Sequence, residues 1–371
     1  LQRGLRRINI KLDEEDQEFT NNLQYTAVEK SKLKKEKKKE KEDEKLNKGL
    51  KKKIVEKNKK DDDEDKIHNV NYVDIFAKIM PFICLVSNDS LFEFIDMYAS
   101  VIENKKKLLL AYLEDSFGFI LSENDLKRIK DIYIKYMSNN QEVKTIVRTL
   151  KEIFKKNRHD LTALSILIDQ HLIVSNLEKE KSGEVSTPYF LRQDMIALLK
   201  KYRPNFFKQP RKVFEPCSGK GGFVVDIVAE FQHGLKEMYP DPVERTRVIM
   251  EECIYYADIN EVNIEIVTNV LLDPDNKYKK NYYLGDTLEI ETLPEFDLVI
   301  GNPPYNADGI NNGATLWQKF VRKGIDIWIK PEGLLCYVHP NGWRKPTTER
   351  CSLNHGLFEK MTQDNTMLEL H

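Results

Sequence analysis

The sequence predicts an α/β fold in which a mostly parallel sheet is covered by helices. In the second half of the chain, short apolar segments typical of buried strands alternate with segments of helical periodicity. These strand-like segments end abruptly in a glycine-rich turn or a polar residue, at the sheet edge where such folds bind ligands. The clearest of them are 212–214, 253–257 and 296–300.

The segments that precede this region have other patterns. We treat 1–28 as an N-terminal segment and predict that 29–67, a Lys/Glu/Asp block, is a charged low-complexity linker. Such a block buries too little apolar surface to offset chain entropy. Residues 68–156 are helical in pattern and predict a packing or interaction domain. The α/β domain is then 157–371.

Composition excludes several classes of protein. The chain of 371 residues has 59 basic and 60 acidic residues, so net charge does not indicate a nucleic-acid binder. Its 5 cysteines lack the spacing of a zinc site or a disulfide framework, and we predict no metal. No apolar stretch of membrane-spanning length and no signal peptide is present. We therefore expect an intracellular, soluble and most simply cytoplasmic protein without a membrane partner.

The first predicted strand, 212–214, leads into a glycine-rich turn and then a helical pattern over 223–231. Glycines at 219 and 221 allow positive φ and let the backbone approach a ligand closely. Similar turns occur in dinucleotide-binding proteins, so this segment alone is ambiguous.

Acidic residues end the predicted strands. Glu215 ends the first, Asp258 follows 253–257, and Asp286 follows a strand-like segment. A carboxylate at the carboxyl end of a strand can accept hydrogen bonds from both hydroxyls of a ribose. The structural alternative for Asp258 and Asp286 is a helix N-cap or a solvated loop carboxylate.

The predicted strand 296–300 ends in the corner Gly301-Asn302-Pro303-Pro304-Tyr305. Consecutive prolines fix two φ angles and remove two backbone donors, so this corner is stiff and its carbonyls are available to a ligand. The Asn302 amide and the flat Tyr305 ring stand beside them. Such a corner can hold a planar amine by two hydrogen bonds and a stack.

This corner resembles motif IV of the amino-methyltransferases, which use S-adenosylmethionine and include the N6-adenine-specific DNA methyltransferases. Four further segments resemble motifs of the same family and follow the same chain order. Together they are more specific than any one alone, and they imply a Rossmann-like S-adenosylmethionine-dependent methyltransferase fold, similar to type I and IIG restriction-modification enzymes. They are 183–189 (motif X), 213–223 (motif I), 256–260 (motif II) and 284–288 (motif III).

The resemblance implies a role for each site residue. Thr187 lies near the methionine carboxylate of the cofactor, although Thr187 before Pro188 is equally a helix cap. Glu215 holds the cationic methionine moiety, Asp258 the ribose and Asp286 the adenine amino group. The implied cofactor-binding set is Thr187, Glu215, Pro216, Cys217, Gly219, Gly221, Phe223, Asp258, Asp286 and Asn302, and the implied catalytic set is Asn302, Pro303, Pro304 and Tyr305.

The implied reaction is methyl transfer to the exocyclic amino group of adenine in DNA, with the base flipped into the site. Asn302 and the Pro303 carbonyl would accept hydrogen bonds from the amine while Tyr305 stacks on the base. Three alternatives stay open: methylation of a release-factor glutamine, methylation of RNA, and an inactive module that only binds S-adenosylmethionine. The RNA alternative arises because Lys220 is in a turn similar to that of cap methyltransferases. The chain starts without methionine and shows no target-recognition region. We therefore expect it to be part of a longer protein that also contains a target-recognition, helicase or nuclease region.

Overall fold

The structure, a computed structural model, describes residues 13–23, 72–87, 91–157, 159–172, 174, 178, 184–305, 316–344 and 354–370. The predicted linker 29–67 lies outside the described residues, as does Gly183 of the predicted motif X. Backbone contacts divide the chain into two compact units, Leu1–Ile153 and Phe154–His371. The domain boundaries drawn from the sequence stay a prediction.

The first unit is helical in its described part. After a helical stretch at 14–23, its elements are α1 (Tyr72–Val86), α2 (Glu93–Asp96), α3 (Ser100–Phe117), α4 (Glu123–Ile132) and α5 (Gln141–Asn157), which continues into the second unit. Ser122 and Asp125 form a reciprocal capping box that fixes the start of α4. Aromatic side chains fill the interior, where the Phe82 and Tyr112 rings stack 4.4 Å apart. Among the described residues, no helix is long and apolar enough to cross a membrane.

The second unit contains a five-stranded sheet with the strand order β3-β2-β1-β4-β5, and every neighbouring pair is parallel. The order reverses between β1 and β4, which makes the carboxyl edge of these two strands a topological switch point. The predicted α/β class is confirmed. The strands are β1 (Val213–Glu215), β2 (Ile254–Asp258), β3 (Asn281–Leu284), β4 (Phe296–Gly301) and β5 (Ile329–Tyr337).

Helices cover both faces of the sheet. Val213 of β1 packs in one apolar cluster with α-helical residues such as Phe231, and the next residue, Phe214, packs in another with Trp328. Successive strand residues point to opposite faces, so both faces are buried, as parallel sheets require. The helices are α6 (Leu161–His171), α7 (Tyr189–Tyr202), α8 (Gly222–Gly234), α9 (Pro242–Val248), α10 (Glu261–Glu265), α11 (Trp317–Lys323) and α12 (Leu357–Thr362).

Candidate active site

The glycine turn after β1 and the proline corner after β4 lie side by side. Val213 pairs with Leu298 in a parallel register, so the two strands end together. A Cβ atom added to Gly301 would lie 3.6 Å from Oε1 of Glu215 and 3.6 Å from Cδ of Pro216. The structure therefore brings two separately predicted segments to one edge of the sheet.

Backbone hydrogen bonds hold the glycine turn against the end of β2. The Ser218 amide donates to the Ala257 carbonyl at 2.9 Å, and the Gly219 amide donates to Oδ2 of Asp258 at 2.7 Å. Gly219 and Gly221 have φ of 51° and 84°, in the left-handed region that favours glycine. At Gly221 a Cβ would also lie 2.7 Å from Cγ2 of Val267.

Asp258 holds backbone amides with both of its carboxylate oxygens, and one of the two amides belongs to the turn. While Oδ2 accepts from Gly219, Oδ1 accepts from the Asn260 amide at 2.8 Å. The side chain is buried, and that burial raises the pKa of Asp258 above its ordinary value. Oδ2 has the Gly219 amide as its one donor among the described residues and can still accept a further hydrogen bond, so the predicted ribose contact is compatible with this geometry.

The end of β3 joins the same edge. The Gly285 amide donates to the Asp258 carbonyl at 2.9 Å, and the Thr287 hydroxyl donates to the Pro216 carbonyl at 2.7 Å. Asp286 is exposed and caps a short 3₁₀ turn through the Leu288 amide. In this structure Asp286 therefore acts as a helix N-cap, the structural alternative considered for it from the sequence.

Two apolar side chains at this edge were missed by sequence reasoning. Ile259 is 65% exposed directly after Asp258, and Leu284 is 50% exposed at the end of β3. Large exposed apolar side chains beside polar groups are suited to cover a flat ring. The only feature of the sequence that could have identified them is their position at the ends of two predicted strands.

Glu215 is buried beneath the turn, and its Oε2 atom has no hydrogen-bond partner among the described residues. Burial raises the pKa of Glu215 well above its ordinary range, against the lowering effect of Arg192. Burial likewise raises the pKa of the neighbouring Cys217 thiol well above its usual value. A cationic group placed against Glu215 would restore its charged form.

Arg192 of α7 is a buried anchor that the sequence did not reveal. Its guanidinium donates to Asp226 at 2.6 Å, to Asp169 at 2.7 Å and to the Ser165 hydroxyl at 2.7 Å. A Cβ added to Gly222 would lie 2.7 Å from its Cζ atom. Arg192 thus packs directly under the first turn of α8, where the glycine turn ends.

The predicted helix cap at Thr187 is wrong. Pro188, not Thr187, is the N-cap residue of α7, and no side chain caps that end. Thr187 is buried instead, and its carbonyl accepts a hydrogen bond from Arg192. The buried arginine, rather than a capping hydroxyl, fixes the chain before this helix.

The proline corner presents an unused acceptor. Oδ1 of Asn302 is buried without a hydrogen-bond partner among the described residues. Pro303 is buried, and Pro304 and Tyr305 are partly buried. The Tyr305 ring packs against the cluster of Trp317, Val321, Trp343 and Leu357, and its carbonyl accepts from the Leu316 amide at 2.9 Å.

The edge has the features of a binding site for a polar cofactor. Buried polar side-chain atoms are normally hydrogen-bonded in proteins, so unused ones mark where a polar ligand fits. Here such atoms accompany a turn whose glycines leave the backbone uncovered. They are Glu215 Oε2, Ser218 Oγ, Asn302 Oδ1 and Glu184 Oε1. In the described part of the chain, no group of His, Cys, Asp and Glu could hold a metal ion.

Phe223, in the first turn of α8, is 4% exposed and packs in the apolar cluster beneath the turn. Its side chain supports the turn from below. Of the predicted site residues, Glu215, Asp258 and Asn302 lie at the same edge of the sheet as the glycine turn. Asp286 lies at the outer end of the same edge.

Residues 170–327 match the family model described as N-6 DNA Methylase. The match confirms the resemblance drawn from the motifs, and it agrees with S-adenosylmethionine as the cofactor. Comparison with the curated proteins finds no match.

Two solved structures are similar at low identity. One, assigned as a modification subunit of a type I restriction enzyme from Vibrio vulnificus, has 14% identity and a TM-score of 0.38, over 76% of this chain and 58% of that one. The other, assigned as a class I S-adenosylmethionine-dependent methyltransferase from Listeria monocytogenes, has 13% identity and a TM-score of 0.38, over 71% of this chain and 74% of that one. The chain thus spans 58% of the length of the Vibrio protein.

Proposed function

We propose that the N-6 DNA methylase segment of this chain, residues 170–327, transfers a methyl group from S-adenosylmethionine to the exocyclic amino group of adenine in DNA. One observation carries the proposal. The buried Oδ1 atom of Asn302 has no partner among the described residues, and it lies directly after β4 at the switch point of the sheet. An amino group that donates a hydrogen bond would satisfy it.

The residues that would hold the cofactor lie along the carboxyl edge of the sheet. The turn at Gly219 and Gly221 lets the backbone approach the ligand, while Asp258 accepts from the ribose and Glu215 faces the cationic methionine moiety. Thr187, Pro216, Cys217 and Phe223 shape the floor, and Asp286 reaches the adenine amino group. Ile259 and Leu284 supply apolar surface for the adenine ring.

When bound, S-adenosylmethionine supplies an electrophilic methyl group, so the protein supplies binding and alignment. Asn302 Oδ1 and the Pro303 carbonyl accept the two N–H groups of the target amine, which directs its lone pair out of the plane of the base. Stacking of the base on Tyr305 contributes about 1–3 kcal/mol. Positioning of this kind can remove about 7–11 kcal/mol from a barrier.

An adenine in duplex DNA must leave the stack to reach this corner, at a cost of a few kcal/mol. The rigid Pro303-Pro304 backbone favours the reaction because the acceptors are already in place when the base arrives. DNA is thus the macromolecular partner, and the protein acts inside the cell. Selection of the target sequence belongs to a region outside 170–327, in a longer protein of the restriction-modification type or in a partner subunit.

The test offers the protein several methyl acceptors. We would incubate the full-length protein, together with any subunit that copurifies with it, with tritiated-methyl S-adenosylmethionine and duplex DNA, RNA or a release-factor peptide, and identify the labelled product by mass. We expect N6-methyladenine in DNA for the wild type and loss of the label with Asn302→Ala. The control Asn205→Ala changes an exposed amide without a capping contact and should label DNA as the wild type does.

Each of the other outcomes overturns a part of the proposal. Label in the peptide or in RNA but not in DNA would replace the substrate. Cofactor binding without label in any acceptor would identify an inactive binding module. Equal labelling by the Asn302→Ala variant would remove Asn302 from the site.

A further inference from the structure

Glu184 reaches over the glycine turn from the segment that precedes α7. A Cβ added to Gly219 would lie 3.2 Å from Oε1 of Glu184. This Oε1 atom is buried and has no hydrogen-bond partner among the described residues, whereas Oε2 accepts from the Asn263 amide at 3.1 Å. Half of this carboxylate is therefore available to a donor at the turn.

Asn263 joins Glu184 to Asp258. Its Nδ2 atom lies 3.1 Å from Oε2 of Glu184 and 3.4 Å from Oδ1 of Asp258. Its Oδ1 atom accepts from Nζ of Lys220 at 2.9 Å, and this contact fixes which end of the amide faces the carboxylates. Two carboxylates thus stand side by side at the end of β2.

The two carboxylates differ in how they are used. Both oxygens of Asp258 accept backbone amides, one from Gly219 in the turn and one from Asn260 just after β2. Glu184 keeps one oxygen without a partner among the described residues. A ligand that donates hydrogen bonds at this edge would therefore gain more from Glu184, since it satisfies a buried acceptor that is otherwise unpaired.

We propose that Glu184 is a second carboxylate of the cofactor site and accepts a hydrogen bond from a ribose hydroxyl of the adenosine moiety. The inference rests on the proposed function. A ribose carries two adjacent hydroxyl donors, and two adjacent carboxylates match them. The cationic end of the cofactor has a separate carboxylate in Glu215, at the end of β1.

The charges around Glu184 make this contact sensitive to pH. Burial raises the pKa of Glu184 to about 7, Lys220 lowers it, and Asp258 and Glu178 raise it. Lys220 itself is buried and paired with Glu178 at 2.5 Å. A hydroxyl donor favours the charged carboxylate, so binding lowers the pKa of Glu184 and releases a proton near neutral pH. Affinity should accordingly rise as the pH rises through about 7.

The experiment measures ligand affinity by calorimetry at about one pH unit below and above this pKa. The probes are S-adenosylhomocysteine and 5′-methylthioadenosine, which share the adenosine but differ in the amino-acid part. We expect Glu184→Gln to weaken both by about tenfold at the higher pH and to flatten the pH dependence. The control Glu237→Gln removes an exposed carboxylate and should change neither.

The failures of this inference and of the proposed function are distinguishable. Unchanged affinity of Glu184→Gln, in a wild type that binds both probes, overturns the role of Glu184 alone. Weakening of S-adenosylhomocysteine but not of 5′-methylthioadenosine overturns the ribose assignment in favour of the ammonium. A wild type that binds neither probe overturns the cofactor site and with it both proposals. Thermal melting of each variant without ligand separates binding losses from unfolding.

Discussion

The backbone amide of Gly219 donates a hydrogen bond to Oδ2 of Asp258 at 2.7 Å. This bond joins the turn after β1 to the end of β2, and the second oxygen of Asp258 holds the Asn260 amide. The carboxylate proposed to bind the ribose therefore also shapes the turn that receives the cofactor. Binding and local structure depend on the same side chain.

Asp258→Asn tests that double role. The amide keeps one acceptor oxygen, so either Gly219 or Asn260 loses its partner. We expect the free energy of unfolding to fall by about 1–3 kcal/mol, because a buried amide is left unpaired. Urea denaturation measures it, with the exposed Asp194→Asn as control. A variant as stable as the control would mean that the turn does not depend on Asp258.

Gly221→Ala tests whether the turn requires glycine for space as well as for φ. Its φ is 84°, and an added Cβ would lie 2.7 Å from Cγ2 of Val267. Gly356→Ala is the matched control, since its φ is 68° and no atom lies within 4 Å of the added Cβ. The conformational cost alone is about 1–2 kcal/mol, so we expect a larger loss at 221 than at 356 in chemical denaturation. Equal losses would contradict the close packing.

Arg192→Met tests the buried anchor beneath α8. Removal of the guanidinium leaves Asp226 buried without its partner, and such unpaired charges cost about 3–5 kcal/mol. Lys200→Met removes the exposed pair with Glu230 and should cost about 0–1 kcal/mol. The difference between the two variants in urea denaturation checks the prediction. A loss for Arg192→Met as small as the loss for Lys200→Met would show that the buried network adds little to stability.

Stability should also depend on the protonation of Glu184. Its pKa is raised from 4.5 to about 7 in the folded chain. A carboxyl whose folded pKa is raised favours the folded state at low pH, and this contribution is lost as the pH rises from about 4.5 to about 7. Wild type should therefore lose up to about 3 kcal/mol relative to Glu184→Gln over that window. Parallel stability profiles for the two proteins would exclude a buried, titrating Glu184.

Local sequence was sufficient to locate the elements that carry the site. The turn at Gly219 and Gly221 and the corner at Asn302 are continuous segments whose glycines and prolines restrict the backbone directly. Because parallel strands meet at one edge, their chain order also predicted that they lie together. The acid at the end of β2 followed from the same reasoning.

Residues that act through long-range contacts could not be predicted in this way. Arg192 stands in a helix whose other basic residues are Lys200 and Lys201 in its last turn, and only the folded chain reveals that Asp169 and Asp226 converge on it. The same arginine explains why Thr187 does not cap α7, since that segment is held by its carbonyl. Glu184 became a candidate only when its unused oxygen was found at Gly219.

The most direct test of the central claim is a single-turnover measurement of methyl transfer to adenine in duplex DNA, with wild type and Asn302→Ala each saturated with cofactor beforehand. Because Asn302 would hold the amine in the transition state, we predict that the variant transfers the methyl group about 100–1,000-fold more slowly. Equal rates for the two proteins at saturation would contradict the account.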